Sequence, residues 1–119
     1  MIVKTSELSG AALDWLVARA EGKERDCEVH ASNVWYGRAT SGYVQYRPST
    51  KWEQGGPLIA RERIDCISDP NGTAGWMGRT WVGGQEVRMF GSTPLIAAMR
   101  CYVAIKLGDE VDAPGGLLP

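Results

Sequence analysis

One histidine, one phenylalanine and three cysteines stand among 119 residues, and each scarcity removes a class of function. A lone His30 excludes any site that needs two histidines. Cys27, Cys66 and Cys101 are odd in number and widely spaced, with no C-x-x-C pair, so reduced thiols in a cytoplasm are expected rather than a disulfide framework. No GxGxxG, Walker loop or HExxH is present. Residues 1–20 contain Lys4, Glu7, Asp14 and Arg19, which interrupt any signal-peptide core, and no apolar run approaches the roughly 20 residues of a transmembrane helix. Neither secretion nor membrane insertion is expected. Nor is there an excess of either charge: 13 Lys and Arg against 14 Asp and Glu leave a formal −1, which gives a polyanion no general attraction and makes duplex nucleic acid an unexpected partner.

What is present describes a folded domain. A hydrophobic fraction of 44% and a charged fraction of 23% are those of a globular chain. A chain of this length buries roughly two thirds of its unfolded surface in one core, so a single domain over residues 1–119 is expected. Five tryptophans accompany the one phenylalanine. Trp joins a large flat face to one N–H donor and serves either core packing or a binding surface.

Ser9 is placed to cap a first helix over residues 10–21, with Leu8 and Leu13 spaced as a hydrophobic staple and Gly22 as the stop. Leu13, Leu16, Val17 and Ala20 form its apolar stripe, which leaves Asp14, Arg19 and Glu21 for water. The period then changes. Cys27, Val29 and Ala31 alternate with Glu28, His30 and Ser32; Val44 and Tyr46 alternate with Tyr43, Gln45 and Arg47; Ile64 and Cys66 alternate with Arg61, Arg63 and Asp65. Residues 76–82 and 85–90 flank Gly83-Gly84, a pair suited to a tight hairpin turn. Thr93-Pro94 opens a second helix that Gly108 ends. Only Arg100 and Lys106 are strongly polar within it, which marks either a central core helix or a subunit interface and makes a homodimer or higher homo-oligomer an expectation. The tail beyond Val111 is expected to fray or to lie along a neighbour. Together these elements predict an α+β domain, with an antiparallel sheet of about five strands and a helix near each end packed on it. Residues 47–57 and 68–75 are the longest stretches of weak periodicity, as functional loops often are.

Two segments carry a resemblance. Tyr46-Arg47-Pro48-Ser49-Thr50-Lys51-Trp52-Glu53-Gln54-Gly55-Gly56-Pro57-Leu58-Ile59 and Thr93-Pro94-Leu95-Ile96-Ala97-Ala98-Met99-Arg100-Cys101-Tyr102-Val103 resemble the NinX-like small proteins of tailed phages and prophages. The opening Val3-Lys4-Thr5-Ser6-Glu7-Leu8 and Gly10-Ala11-Ala12-Leu13-Asp14-Trp15 agree, while residues 24–40 and 68–91 agree less. The resemblance implies a phage accessory protein acting in the cytoplasm of a bacterial host, and it carries no catalytic residues over.

The candidate chemistry centres on residues 48–57. Ser49, Thr50, Trp52, Gln54, Gly55 and Gly56 combine hydroxyls, an indole, an amide and a glycine pair, which suit stacking on a flat ring and a close backbone approach to it. Arg47 and Arg61 bracket them and can charge-pair with a phosphate. The bland alternative is an ordered loop with Trp52 plugging the core and Ser49 and Thr50 capping local backbone. A two-residue turn at Gly83-Gly84 sets Arg79 opposite Arg88, a repulsive pair that calls for an anion, either a ligand or Glu86, unless the register slips by one. Cys27 and Cys101 look buried and therefore inert, so a Cys-His nucleophile is disfavoured. The resulting expectation is a protein that binds or sequesters a small anionic nucleotide-like ligand without enzymatic turnover and so counters host defence signalling, with no cofactor or metal. An adaptor binding another protein through exposed tryptophans is the alternative. A small nucleotide hydrolase is the third reading, and it needs a carboxylate beside the anion site.

Overall fold

The computed structural model describes residues 1–38, 42–69, 71–72 and 75–118. In chain order the elements are β1 (Ile2–Lys4), α1 (Gly10–Ala20), β2 (Cys27–His30), β3 (Asn33–Arg38), β4 (Gly42–Gln45), α2 (Trp52–Glu62), β5 (Asp65–Ser68), β6 (Trp76–Val82), β7 (Gln85–Gly91), α3 (Pro94–Leu107) and β8 (Glu110–Asp112). All pairing is antiparallel, in the orders β1-β8, β2-β3-β4 and β5-β6-β7. The class is α+β, as the periodicities predict. The strands form three small sheets among the described residues rather than one of about five, because a helix, α2, separates β4 from β5. Residues 70, 73 and 74 of the weakly periodic stretch 68–75 lie outside the described residues, as does Pro119 of the tail.

Helix α3 forms where the Thr93-Pro94 start places it. Thr93 Oγ1 accepts the Ile96 N–H at 3.1 Å, and the chain leaves the helix at Gly108, φ +99°. Its uniformly apolar surface is explained by packing all round: α1 and α2 cover one side and the β5-β6-β7 sheet the other. Contact with that sheet is backbone to backbone. A Cβ on Gly78 of β6 would lie 2.6 Å from Ala97 O, and one on Gly91 of β7 would lie 2.7 Å from Ala97 N. Leu13, Leu16, Val17, Met99, Tyr102 and Val103 form the middle of the core.

Helix α1 begins after Ser9, whose side chain makes no capping bond, and stops before Gly22 at φ +73°. Two of its expected water-facing acids are enclosed instead. Asp14 is 3% exposed and accepts the Ser49 N–H at 2.9 Å, because the chain before α2 folds across that face of α1. Glu21 binds the Arg61 guanidinium through both oxygens, at 3.1 and 2.6 Å, and also accepts the Tyr102 hydroxyl.

Residues 47–57 are not a loop, since their second half is the start of α2. Glycine and proline hid it: Gly55-Gly56 lowers helix propensity, and Pro57 removes an interior N–H. Tertiary contacts override both. Gln54 donates to Gln45 O at 2.9 Å and accepts the Arg47 N–H, fastening the helix start to β4. Gly55 seats the helix against the preceding turn, where a Cβ would meet Pro48 O at 2.4 Å. At the other end Arg63 takes a left-handed conformation, φ +54°, so Arg61 belongs to α2, and the strand expected across 61–66 starts only at Asp65.

The remaining differences are turns and edges. Ala31 and Ser32 adopt φ +51° and +61°, a hairpin turn without glycine, so β2 stops at His30 and β3 follows where no strand was expected. Gly83-Gly84 makes the expected hairpin with Arg79 opposite Arg88. Each arginine has an internal partner: Asp65, opposite Arg79 in the β5-β6 register, lies 3.1 Å from it, and Glu86 lies 2.7 Å from Arg88. Of the two courses expected for the tail, its described residues take the second and lie along a neighbouring strand: β8 pairs with β1, the Met1 ammonium bonds Asp112 at 2.6 Å, and Leu117 is buried.

Two stability measurements test this packing. Gly78→Ala forces the hairpin off α3 and lowers unfolding free energy by about 1–3 kcal/mol in urea titration. Gly115→Ala, whose Cβ meets open space, stays within about 0.5 kcal/mol of the parent. The second concerns Asp14, whose carboxyl burial pushes up to about 6 from 3.8, only partly opposed by Ser49 and Arg47. Between those values the folded chain retains a proton that the unfolded chain has released, so stability falls as pH rises. The parent should therefore lose about 2 kcal/mol relative to Asp14→Asn between about pH 4 and pH 7. A stability difference that is flat across this range would show that Asp14 does not titrate there.

Candidate functional site

A concavity of about 770 Å³ lies between the edge strand β7, the β1-β8 ribbon and the second turn of α3. Antiparallel register puts Lys4 of β1 opposite Glu110 of β8 on its rim. Strand alternation puts Arg88 and Phe90 on one face of β7, with Ser92 following. From below, Arg100 reaches out of α3, its Nε donating to Leu8 O at 2.6 Å and its Nη1 to Phe90 O at 2.7 Å.

Arg100 is the unusual member. It is partly buried, its hydrogen bonds go to neutral carbonyls, and among the described residues no carboxylate stands within ion-pair distance of it. Loss of water around the guanidinium lowers its pKa from the ordinary value. A desolvated charge hydrogen-bonded only to dipoles favours an anion that can come within reach. Around it the cavity wall carries two further cations, Lys4 and Arg88, and two carboxylates, Asp109 and Glu110. Phe90 is 42% exposed there and offers a ring face.

The residues expected from sequence to form one site are distributed over several. Thr50 and Trp52, the latter 54% exposed, line a small cleft of about 200 Å³ between the starts of α2 and α3, with Ser49 buried in its wall. Trp52 therefore does not plug the core. Gln54 and Arg61 line another concavity of about 410 Å³ with Lys23, Tyr36 and Tyr46. There the Gln54 amide is taken up by backbone, and Arg61 is engaged by Glu21, by Glu62 at 2.8 Å and by the Tyr102 hydroxyl at 3.1 Å. Gly55 is buried in helix packing, and Gly56 adjoins the Trp52 ring. The partly buried Arg47 lies near enough to Asp14 to oppose the rise in its pKa. Arg79 is held by Asp65, and Arg88 alone reaches the large cavity.

Lys4, Phe90, Ser92 and Arg100 were not anticipated as site residues. Arg100 left a signal, being the one cation in the interior of an otherwise apolar helix. The others come together only through pairing of β1 with β8 and seating of β7 on α3. Elsewhere, burial pushes the Cys101 thiol up to about 12 and also raises Cys27 and Cys66, which keeps all three protonated and poorly nucleophilic. No helix among the described residues is long and apolar enough to cross a membrane.

Comparison with curated proteins gives no match. A family model described as Bacteriophage P22, NinX matches residues 4–106, a span that begins at Lys4 and takes in Arg88, Phe90 and Arg100. The match covers most of the chain, and the protein accordingly belongs to the phage P22 NinX family, as a phage accessory protein.

Proposed function

We propose that the protein binds a small anionic, ring-bearing molecule of nucleotide type in the cavity around Arg100, and holds it without converting it. The observation that carries this reading is the Arg100 guanidinium, fixed by two carbonyls at the base of a cavity, with no carboxylate among the described residues within ion-pair distance. Arg88 and Lys4 add charge for a phosphate, the Phe90 face offers stacking, and Ser6 and Ser92 offer hydroxyl contacts. Asp109 and Glu110 suit the amino or hydroxyl edge of the same ligand. The volume falls within the range of small-molecule sites, about 300–1,000 Å³. In an infected bacterial cytoplasm, retention of a nucleotide-derived defence signal is the use we assign to such a site.

The adaptor reading draws on Trp81 and Val82, exposed by 61% and 49% at the tip of the β6-β7 hairpin. The same tip is the surface we assign to homodimer formation, since α3 is enclosed within its own chain. Asp109 and Glu110 meet the hydrolase reading's need for carboxylates beside the anion.

Native mass spectrometry of protein purified from bacterial cytoplasm, set against the same sample denatured, tests the proposal. A small molecule released only on denaturation is expected. Its affinity on re-addition should fall about tenfold or more in the Lys4→Ala, Arg88→Ala double variant. Arg100 is left intact because it also ties Leu8 to Phe90. Equal retention by parent and double variant would overturn the site, a converted ligand would establish turnover, and a retained polypeptide would favour the adaptor.

A further inference from the structure

The outward face of the β2-β3-β4 sheet carries a second kind of chemistry. Register sets Glu28 directly opposite Trp35, and Trp35 opposite Gln45, so Tyr43 lies on the same face two residues before Gln45. Glu28, His30, Ala31, Trp35 and Tyr43 line a cavity of about 330 Å³. Glu28 is half exposed, with one oxygen 2.9 Å from His30 Nε2 and the other accepting the Tyr43 hydroxyl at 3.4 Å. A carboxylate is thus held beside two aromatic rings.

The other tyrosines show what such rings do in this molecule. Lys23 Nζ stands 5.0 Å from the Tyr36 ring centre and 5.6 Å from that of Tyr46, while Arg61 and Lys106 stand 5.8 and 5.9 Å from that of Tyr102. No described lysine or arginine side chain stands over Tyr43 or Trp35, although Glu28 lies beside both rings as Glu21 lies beside Tyr102. We infer that this face binds an alkylammonium group, its methylenes along Trp35 and Tyr43 and its charge against Glu28. An ammonium fits better than a guanidinium. Each Glu28 oxygen already serves one local donor, and an ammonium needs only one further lone pair, whereas a guanidinium seeks both oxygens at once. The group can arrive on a free amine or at the end of a lysine side chain.

The test is nitrogen–proton NMR of the full chain, following the indole N–H of Trp35, assigned with Trp35→Phe. Butylammonium is expected to shift this signal saturably, while uncharged butanol at equal concentration does not. Glu28→Gln should weaken binding about threefold or more, with the other indole signals unmoved as a check on the fold. Tighter binding of Nα-acetyl-lysine methylamide than of butylammonium assigns the group to a polypeptide, and equal binding assigns it to a free amine. A shift equal with butanol, or binding unchanged by Glu28→Gln, would overturn the inference.

Discussion

The approach of α3 to the β6-β7 hairpin through Gly78 and Gly91 is the constraint on which the rest of the structure depends. Two glycines let helix backbone meet strand backbone, with Ala97 in the gap. That distance sets where the sheet lies, and so where its edge strand β7 runs relative to α3. It also lets the Arg100 side chain, one turn further along the helix, bond the Phe90 carbonyl at that edge. Larger residues at 78 or 91 would lift the hairpin away, widening the cavity and breaking this bond. Core packing and the geometry of the cavity around Arg100 are therefore settled by the same contact.

A second constraint ties the opposite side of the molecule together through polar groups. Asp14 on α1 receives the Ser49 N–H, Gln54 on α2 spans Gln45 and Arg47, and Glu21 gathers Arg61 and Tyr102. Each bond joins segments that apolar contacts alone would leave free to slide. Asp14 carries an evident cost, since burial disfavours its charged form, and the Ser49 N–H offsets part of that cost. Residues whose chemistry suggests ligand binding, above all Gln54 and Arg61, are thereby committed to holding α2 in place.

Local signals explain what was legible in the amino-acid order. Thr93-Pro94, Gly22, Gly83-Gly84 and the stripe of α1 are decided within a few residues, and α3, the β6-β7 hairpin and α1 follow them. Helix α2 was hidden because its stabilisation comes from Pro48, Gln45 and Leu95, while its own Gly-Gly-Pro points to a loop. The β2-β3 turn was hidden because Ala31 and Ser32 rarely adopt positive φ. Strands β1 and β8 are three residues each and pair across more than one hundred positions, too short for periodicity and too distant for any local rule. The candidate site inherits these blind spots. Only Arg88 was singled out, and the ring, hydroxyls and other cations join it through long-range pairing.

Arg100 shows how one residue can serve the fold and leave a site behind. Its bonds to Leu8 and Phe90 join the segment before α1 to the edge of a sheet, a task that a neutral donor would perform without the cost of desolvating a charge. A charge kept there without a carboxylate is therefore more than the fold requires. The excess falls at the base of a cavity of about 770 Å³, whose wall also holds Lys4, the Glu86-paired Arg88 and the carboxylates of Asp109 and Glu110. A neighbouring Asp or Glu against Arg100 would have stabilised the apoprotein while cancelling its attraction for an anion. The absence of such a neighbour among the described residues separates Arg100 from Arg61 and Arg79, whose charges are already answered inside the molecule.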